Sequence, residues 1–274
     1  ENFMMTEKLS LESLFGLKNK VALVTGGSGG IGRMIAQGLL VAGATVYITG
    51  RKNKACEQAA HELSEFGSCI ALAGDITDEQ DRQDLLQKIT SDTGKLNILI
   101  NNAGSSWGDS YENYPAKAFA KLMDINVGAV FTLTRDLTPL LEASASGHDP
   151  ARVINIGSMD GLHTATVHGT GTYAYAASKA AVHQLTKNLA VELGPRNITV
   201  NAVAPGFFVS KMTSYLFDNF SEQMSSNSLL NRVGKMEEMA GIAIYLCSQA
   251  GAYTHGTIIP VDGGTSINHQ HTSI

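Results

Sequence analysis

The sequence has few cysteines and no long apolar run, and each shortage excludes a class of protein. Its three cysteines, Cys56, Cys69 and Cys247, lie far apart in a chain of 274 residues and form no C-x-x-C pair. This argues against a disulfide framework and against a metal site, and it is typical of a reducing compartment. No apolar run reaches the roughly 18 residues of a membrane-spanning helix, so we expect no membrane span.

Charged residues are also scarce, at 16% of the chain against roughly 25% in an ordinary globular domain. The 20 basic and 25 acidic residues give a net charge of −5. They include no Lys/Arg cluster that could follow a phosphate backbone, which argues against nucleic acid as a partner. The hydrophobic share of 43% suffices for a large core and argues against intrinsic disorder. The low charge also suggests that partner subunits cover part of the surface.

The chain begins at Glu1 without a methionine, and its first residues contain no apolar segment of a secretory signal. We therefore expect residues 1–17 to be an N-terminal extension that derives in part from an expression vector. Together with the cysteine usage, this predicts a cytoplasmic protein.

Short β-branched and aliphatic runs alternate with longer helical stretches. The runs predict seven strands, at residues 21–25, 45–49, 70–72, 96–100, 152–156, 198–203 and 257–261. The stretches between them predict helices, including long ones over about 115–141 and 173–193. Because nearly continuous apolar strands separated by helices are typical of a parallel sheet covered on both faces, we predict an α/β, Rossmann-type doubly wound fold.

The alternation contains no linker, internal repeat or low-complexity segment. It predicts one domain over residues 18–264, followed by a C-terminal tail over 265–274. The connection from Gly206 to Gly234 is too long for an ordinary loop. We expect it to be either a substrate-binding lid or a poorly ordered segment.

Glycine is the residue in excess, with 28 in the chain, and its placement carries the first functional signal. Residues 25–32, Thr-Gly-Gly-Ser-Gly-Gly-Ile-Gly, follow the first strand and begin the first helix. Glycines in such a turn let the backbone approach a pyrophosphate at the positive helix N-terminus. A flexible turn is the alternative, but the position between strand and helix favours dinucleotide binding. The candidate contacts are Gly26, Ser28, Gly30, Ile31 and Gly32.

The end of the second strand indicates which dinucleotide is bound. NAD sites place Asp or Glu there against the ribose 2′-hydroxyl, whereas this chain reads Gly50-Arg51-Lys52. Arg51 can form a bidentate pair with a 2′-phosphate. A solvated basic loop is the alternative, and Gly29 stands where a second cation could have reached the phosphate. Because these basic residues lie next to the glycine turn, we infer that the cofactor is NADP(H).

Two further strand ends supply residues to the same edge of the sheet. Asn102, Ala103 and Gly104 follow the fourth strand, and their small size allows close approach to the cofactor. Asp75 and Ile76 follow the third strand. Asp75 could accept a hydrogen bond from the adenine amino group, or it could simply be a turn or capping aspartate.

A second constellation predicts acid–base chemistry. Tyr175 and Lys179 stand four residues apart on one face of a predicted helix. A nearby lysine stabilises a phenolate and lowers the tyrosine pKa from ~10, although an ordinary surface pair is the alternative. Ser158 follows the fifth strand and could donate to a substrate oxygen or merely occupy a turn. Asn126 lies within a predicted helix although asparagine has a low helix propensity. Such a break of a local rule often indicates a functional residue.

Together these motifs resemble the single-domain type of the short-chain dehydrogenase/reductase family, over nearly the whole chain. The matching positions are residues 25–32, 101–104, Asn126, Ser158, Tyr175 with Lys179, Pro205-Gly206 and 261–264. Residues 102–108 and 150–158 are similar to NADPH-dependent 3-ketoacyl reductases of the rhamnolipid-pathway type. The spacing from Ser158 to Tyr175 is longer than usual in the family because of the insertion over 166–171.

The resemblance implies roles for the catalytic residues. It implies that Tyr175 donates a proton, that Lys179 tunes it and holds the nicotinamide ribose, and that Ser158 polarises the substrate carbonyl. It further implies that Asn126 supports a water-linked proton relay through a local helix distortion.

The resemblance also implies the remaining cofactor contacts and the reaction. The backbone after Pro205 and Gly206 is expected to position the nicotinamide carboxamide, with Ser210 where the family often has threonine. The expected reaction is the NADPH-dependent reduction of a ketone, of 3-ketoacyl or related type, by a homotetramer. The alternatives are an NADP-linked alcohol, sugar or steroid dehydrogenase acting oxidatively, and a non-catalytic NADP(H)-binding regulator.

Overall fold

The computed structural model describes residues 9–164, 170–209 and 225–268. In these ranges the chain forms seven strands: β1 (Val21–Val24), β2 (Thr45–Gly50), β3 (Cys69–Ala73), β4 (Ile98–Asn101), β5 (Ala151–Ile156), β6 (Ile198–Pro205) and β7 (Ile258–Val261). All pair in parallel, in the order β3-β2-β1-β4-β5-β6-β7. The predicted doubly wound sheet is confirmed, and each predicted strand agrees with the observed one to within two residues at either end.

Helices connect the strands across both faces of the sheet. Their bounds are α1 (Leu11–Phe15), α2 (Gly30–Val41), α3 (Asn53–Leu63), α4 (Glu79–Thr93), α5 (Ala116–Met123), α6 (Ala129–Ser144), α7 (Tyr173–Leu193) and α8 (Met236–Cys247). No helix in the described part of the chain is long and apolar enough to cross a bilayer.

The long helix predicted over about 115–141 is present, with a local distortion in its middle. A π-helical turn, Asp124–Gly128, separates α5 from α6 and buries Ile125 and Asn126. A π turn accommodates one residue more than an α-helical turn, and such turns are frequent at functional sites. Here it turns the Asn126 side chain inward, toward the loop that follows β4.

Successive strand residues divide between two hydrophobic cores, one on each face of the sheet. In β1, Ala22 and Val24 belong to the core under α2 and α8, whereas Val21 and Leu23 belong to the core under α4, α6 and α7. This alternation is why every residue of β1 reads as apolar in the sequence.

The ends of the folded region lie slightly outside the predicted domain bounds of 18–264. Leu17 is fully buried in the core beside α2, and its N–H donates to the Ala42 carbonyl at 2.7 Å. Thr265 is buried as well, and its hydroxyl donates to the Asp262 carbonyl at 2.7 Å. The last residues of the predicted extension and the first of the predicted tail therefore belong to the fold.

Candidate active site

The turn between β1 and α2 forms a cradle lined largely by glycine backbone. Gly26 has φ +64°, and an added Cβ at Gly32 would lie 2.5 Å from the Gly26 carbonyl oxygen. α2 begins at Gly30, and Gly29 before it supplies no side-chain cap to the helix N–H groups. Open N–H groups at a helix N-terminus favour a phosphate. This geometry therefore fits the dinucleotide role predicted for these glycines.

Ser28 and Ile31 have different surroundings within the turn. The Ser28 hydroxyl lies beside the end of β2, where an added Cβ at Gly50 would be 2.9 Å from its oxygen. Ile31 is partly buried and packs against the core behind α2. Ser28 therefore faces the region that precedes Arg51, whereas the Ile31 side chain is used for packing.

The end of β4 holds this turn in place through Thr25. Its hydroxyl oxygen accepts the backbone N–H groups of Asn102 and Ala103, each at 2.9 Å. The Asn102 side chain returns a bond to the Thr25 carbonyl at 2.8 Å. Asn102 therefore ties the ends of β1 and β4 together, and Thr25 is its partner.

Arg51 follows β2 and is exposed, close enough to Asp75 to affect its ionisation. Burial, the largest influence, raises the Asp75 pKa, but two hydrogen bonds from Thr77 and the positive charges of Arg51 and Lys121 outweigh it and lower the pKa. Asp75 Oδ1 accepts the Thr77 N–H at 3.0 Å and its hydroxyl at 2.8 Å. Asp75 therefore has the geometry of a turn aspartate, and its adenine contact stays a prediction.

A cavity of about 220 Å³ lies at the end of β3, beside Asp75 and Ile76. Arg82 stands behind Ile76 and donates from Nη1 to its carbonyl at 3.1 Å. Arg82 is itself buried and paired through Nε with Asp136 at 3.1 Å. This ion pair fixes the wall of the cavity and was not recognised in the sequence, because α4 and α6 come together only in the fold.

Asn126 joins the loop after β4 to α7. Its Oδ1 accepts the Ser105 N–H at 2.9 Å, and its Nδ2 donates to the Ser105 carbonyl at 3.0 Å and to Ser178 Oγ at 2.9 Å. Gly104 lets the loop pass closely, since an added Cβ there would lie 2.9 Å from Asn126 Oδ1. The expected helix distortion at Asn126 is confirmed, while its proton relay stays a prediction.

Ser158 and Tyr175 come together, as predicted, although they are distant in sequence. Ser158 is buried and caps the short turn Met159–Gly161, accepting the Asp160 N–H at 3.2 Å. A hydrogen bond from Ser158 to the Tyr175 phenol lowers the phenol pKa. The same hydroxyl therefore accepts from the backbone and faces the tyrosine.

Burial nevertheless dominates the ionisation of Tyr175 and raises its pKa to about 12, with the Asp160 carboxyl adding to the rise. Burial also lowers the Lys179 pKa to about 8. The Lys179 ammonium donates to the Ile156 carbonyl at 2.7 Å and lies 5.6 Å from the Tyr175 ring centroid. Burial therefore outweighs the lowering of the Tyr175 pKa that is expected from Lys179, and the tuning role of Lys179 stays a prediction.

Asp160 is a further titratable group of the site that sequence reasoning missed. Burial raises the pKa of its carboxyl, and His163 opposes the rise. Its position two residues after Ser158 is the only signal in the sequence that could have identified it.

Tyr173 has no lysine four residues later and serves a different purpose. Its ring makes edge contacts with Tyr114 and Tyr111, at centroid distances of 5.4 and 5.9 Å. The backbones of Asp109 and Gly171 pair beside it through bonds of 3.2 and 2.8 Å. The loop after β4 therefore packs against the start of α7. Of the predicted insertion over 166–171, residues 166–169 lie outside the described residues.

β6 ends at Pro205, where the chain passes very close to the segment after β7. Gly206 donates its N–H to the Val261 carbonyl at 3.0 Å, and an added Cβ at Gly206 would lie 2.7 Å from Asp262 Cα. The predicted contact Ser210 lies outside the described residues. The described parts of the predicted substrate loop, 206–209 and 225–234, border a cavity of about 450 Å³ with residues 260–265.

A chain of buried amides and hydroxyls supports this edge of the sheet. Asn101 Nδ2 donates to Asn155 Oδ1 at 2.9 Å and to Thr134 Oγ1 at 3.0 Å, and Asn155 Nδ2 donates to Thr186 Oγ1 at 2.9 Å. The signal in the sequence is the polar residue inside the apolar run Ile154-Asn155-Ile156. Among the described residues, no group of His, Cys, Asp and Glu could hold a metal ion.

Comparisons with known proteins agree with this geometry. The family model described as enoyl-(acyl carrier protein) reductase matches residues 26–266. A Pseudomonas aeruginosa relative, the rhamnolipids biosynthesis 3-oxoacyl-[acyl-carrier-protein] reductase, is 47% identical over 252 residues, which are 91% of this chain and 97% of the relative. A 3alpha-hydroxysteroid dehydrogenase of Mediterraneibacter gnavus is 35% identical over 250 residues, covering 90% of this chain and 97% of that protein.

Solved structures are similar over the same span. The Pseudomonas aeruginosa RhlG/NADP active-site complex superimposes with a TM-score of 0.89 at 46% identity, and the match covers 93% of this chain and 99% of that one.

Proposed function

The chain belongs to the short-chain dehydrogenase/reductase family, and we propose on that premise that it reduces the ketone of a 3-oxoacyl or related substrate to a secondary alcohol. It is an oxidoreductase of CH–OH and C=O groups that uses NADP(H). The Pseudomonas aeruginosa relative is a 3-oxoacyl-[acyl-carrier-protein] reductase, which supports an acyl substrate.

The meeting of Ser158, Tyr175 and Lys179 at one crevice carries the proposal. Tyr175, like any phenol at neutral pH, holds a proton, and its position beside Ser158 lets it donate that proton to a carbonyl oxygen. The more similar relative, a 3-oxoacyl-[acyl-carrier-protein] reductase at 47% identity, favours reduction over the oxidative alternative, which the steroid dehydrogenase relative at 35% identity represents. A non-catalytic binding protein would have no need for Ser158, Tyr175 and Lys179 at one crevice.

The residues present fit an NADP(H) molecule. A Cβ at Gly32 would collide with the Gly26 carbonyl, so glycine keeps the turn between β1 and α2 tight, and the open N–H groups of α2 suit a pyrophosphate. Arg51 is exposed at the end of β2, where a 2′-phosphate would need a cation. When bound, NADPH supplies the hydride for the reduction.

The chain's own residues manage the proton. Ser158 has its oxygen oriented by the Asp160 N–H, so its hydrogen points toward the phenol or a substrate oxygen. Tyr175 donates its proton to the oxygen of the substrate carbonyl. The Lys179 ammonium, anchored on the Ile156 carbonyl, places a positive charge beside the phenolate that this step leaves.

Turnover with matched substrates in both directions tests the proposal. NADPH consumption would be followed with 3-oxoacyl substrates of increasing chain length, a 3-oxosteroid and a keto-acid derived from a sugar. The corresponding alcohols with NADP⁺ would serve as the reverse panel. We expect the highest kcat/KM at neutral pH for reduction of a 3-oxoacyl compound. Faster oxidation of an alcohol at neutral pH, or preference for the steroid or sugar ketone, would contradict the proposal.

We also propose a homotetramer. Several large apolar side chains are exposed on the helices: Phe119 on α5, Phe131 on α6 and Val191 on α7. Tyr253, between α8 and β7, is exposed as well. Exposed apolar surface on neighbouring long helices is typical of subunit contacts. Sedimentation equilibrium at micromolar concentration should give about four times the chain mass, and a 29.0 kDa species would contradict this.

We propose a cytoplasmic location from the state of the three cysteines. Cys56, Cys69 and Cys247 are free thiols in the fold, and burial raises the pKa of each. Thiols that stay protonated and unpaired suit a reducing compartment. Fractionation of the source cells should recover the enzyme with the cytoplasmic markers.

A further inference from the structure

His183 lies on α7, one helical turn after Lys179, and is buried at 6% exposure. Its imidazole occupies the space beside Gly157 and Gly161, the two glycines that flank Ser158. An added Cβ at Gly157 would lie 2.6 Å from His183 Cδ2, and one at Gly161 would lie 2.8 Å from His183 Cε1. The ring therefore fits only because both neighbours are glycine.

Hydrogen bonding contributes little to this burial, since the Gly161 backbone approaches the ring but lies outside ordinary hydrogen-bond geometry. Within the described residues, neither ring nitrogen of His183 has a hydrogen-bond partner of ordinary geometry. Burial, assisted by the charges of Lys179 and Lys187, lowers the imidazole pKa, although the Gly161 backbone opposes this. Burying an unpaired polar ring is unfavourable. The contact that accounts for the buried position of His183 is therefore the packing of its ring against the segment that carries Ser158.

The segment that carries Ser158 is attached to α7 at two points. At one end, the Ile156 carbonyl accepts the Lys179 ammonium at 2.7 Å. Along the rest, Gly157 and Gly161 contact the His183 ring. Ser158 stands between these attachments, where its hydroxyl reaches the Tyr175 phenol.

We propose that His183 is a positioning residue for ketone reduction: its ring holds residues 157–161 so that the Ser158 hydroxyl faces Tyr175 and the substrate carbonyl. The role is one of shape, and His183 itself does not touch the reacting atoms. The inference rests on the proposed function, because it assigns His183 to the same proton-donating site.

Two substitutions at the position separate shape from chemistry. His183→Ala removes the contact with both glycines, and we expect kcat for ketone reduction to fall by about tenfold or more while the KM for NADPH changes less than twofold. The KM should hold because the glycine turn after β1 does not contact His183. His183→Leu keeps a branched side chain of similar volume, and we expect it to restore kcat to within about threefold of the wild type. A His183→Leu variant as slow as His183→Ala would overturn the proposal.

A double substitution tests the contact directly. Gly157→Ala should lower kcat strongly in the wild type, since its methyl group would collide with the imidazole. In the His183→Ala background the methyl group has room, so we expect Gly157→Ala to lower kcat much less there. Equal losses in the two backgrounds would show that the two residues do not act together.

Two controls keep a failure interpretable. Leu189→Ala also truncates a buried side chain of α7, in the core away from Ser158, so it should lower the thermal midpoint without the selective loss of kcat. If Leu189→Ala reproduces the kinetic effect of His183→Ala, the effect is one of general stability and the proposal falls. Tyr175→Phe tests the proposed function itself. If it inactivates while His183→Ala leaves kcat unchanged, the function stands and the inference fails.

Discussion

At the end of β1 the site consists of backbone and open space, whereas at the end of β5 it consists of buried polar side chains. The first region holds Gly26 and Gly32, and Arg51 at the neighbouring end of β2 is exposed. The second holds Ser158, Lys179 and His183, each no more than 6% exposed. One fold thus uses two means of binding and catalysis within a single crevice.

The difference between the two regions separates residues that set cofactor affinity from residues that set the reaction rate. A pyrophosphate is recognised by N–H groups that do not titrate, so the first region should be insensitive to pH. The groups of the second region are shifted by burial, with Tyr175 raised to a pKa of about 12 and Lys179 lowered to about 8. Substitutions in the first region should therefore change cofactor affinity, and those in the second should change the rate.

The largest expected effect is that of Tyr175→Phe, which removes only the hydroxyl. The hydride-transfer step should fall by ~10²–10⁴-fold, the usual contribution of a positioned general acid. Single-turnover kinetics measures the step, and NADPH fluorescence titration should show nearly unchanged binding. Tyr173→Phe is the matched control, because Tyr173 packs against Tyr111 and Tyr114. A variant pair in which Tyr173→Phe is inactive and Tyr175→Phe is not would reverse the assignment.

Arg51→Ala should act on cofactor choice. Loss of a charge-assisted contact to the 2′-phosphate weakens NADPH binding by about 1.5–3 kcal/mol, while NADH binding should change little. The ratio of kcat/KM for the two cofactors measures the effect. Lys54→Ala, a neighbouring cation on α3, is the control and should leave the ratio unchanged. Equal losses for NADPH and NADH would remove Arg51 from the phosphate site.

Gly32→Ala should test whether the cradle is limited by space. The new Cβ would lie 2.5 Å from the Gly26 carbonyl oxygen, and overpacking of this kind destabilises by about 1–3 kcal/mol. We expect a higher KM for NADPH and a lower thermal midpoint. Gly241→Ala on α8 is the control, because no heavy atom lies within 4 Å of its new Cβ. It should change neither the KM for NADPH nor the thermal midpoint. A Gly32→Ala enzyme with wild-type cofactor affinity would show that the turn has room to spare.

The smallest effect should be the pH dependence of the wild-type enzyme. The Lys179 pKa is lowered from 10.5 to about 8, so its charged form is present below about pH 8 and is lost as the pH rises through that value. The kcat/KM for reduction should therefore fall by about half near pH 8. A rate that is constant to pH 10 would mean that the Lys179 charge is not needed.

Most of the architecture followed from the sequence. The apolar runs located all seven strands, because a strand buried on both faces, such as β1, has no polar position. Glycines at 26, 30 and 32 and the spacing of Tyr175 from Lys179 were informative because backbone conformation and helical periodicity are local properties. The local break at Asn126 was also visible, since asparagine and glycine are unfavourable within a helix.

What only the tertiary structure decided was the surroundings of those residues. Burial and the Asp160 carboxyl raise the Tyr175 pKa in the fold. The sequence alone predicted a lowered pKa, because it showed only the neighbouring Lys179. The contact of His183 with the Ser158 segment and the pairing of Arg82 with Asp136 join elements that are far apart in the chain. Local patterns specify which groups are present, but desolvation and contact depend on everything packed around them, and that packing exists only in the folded chain.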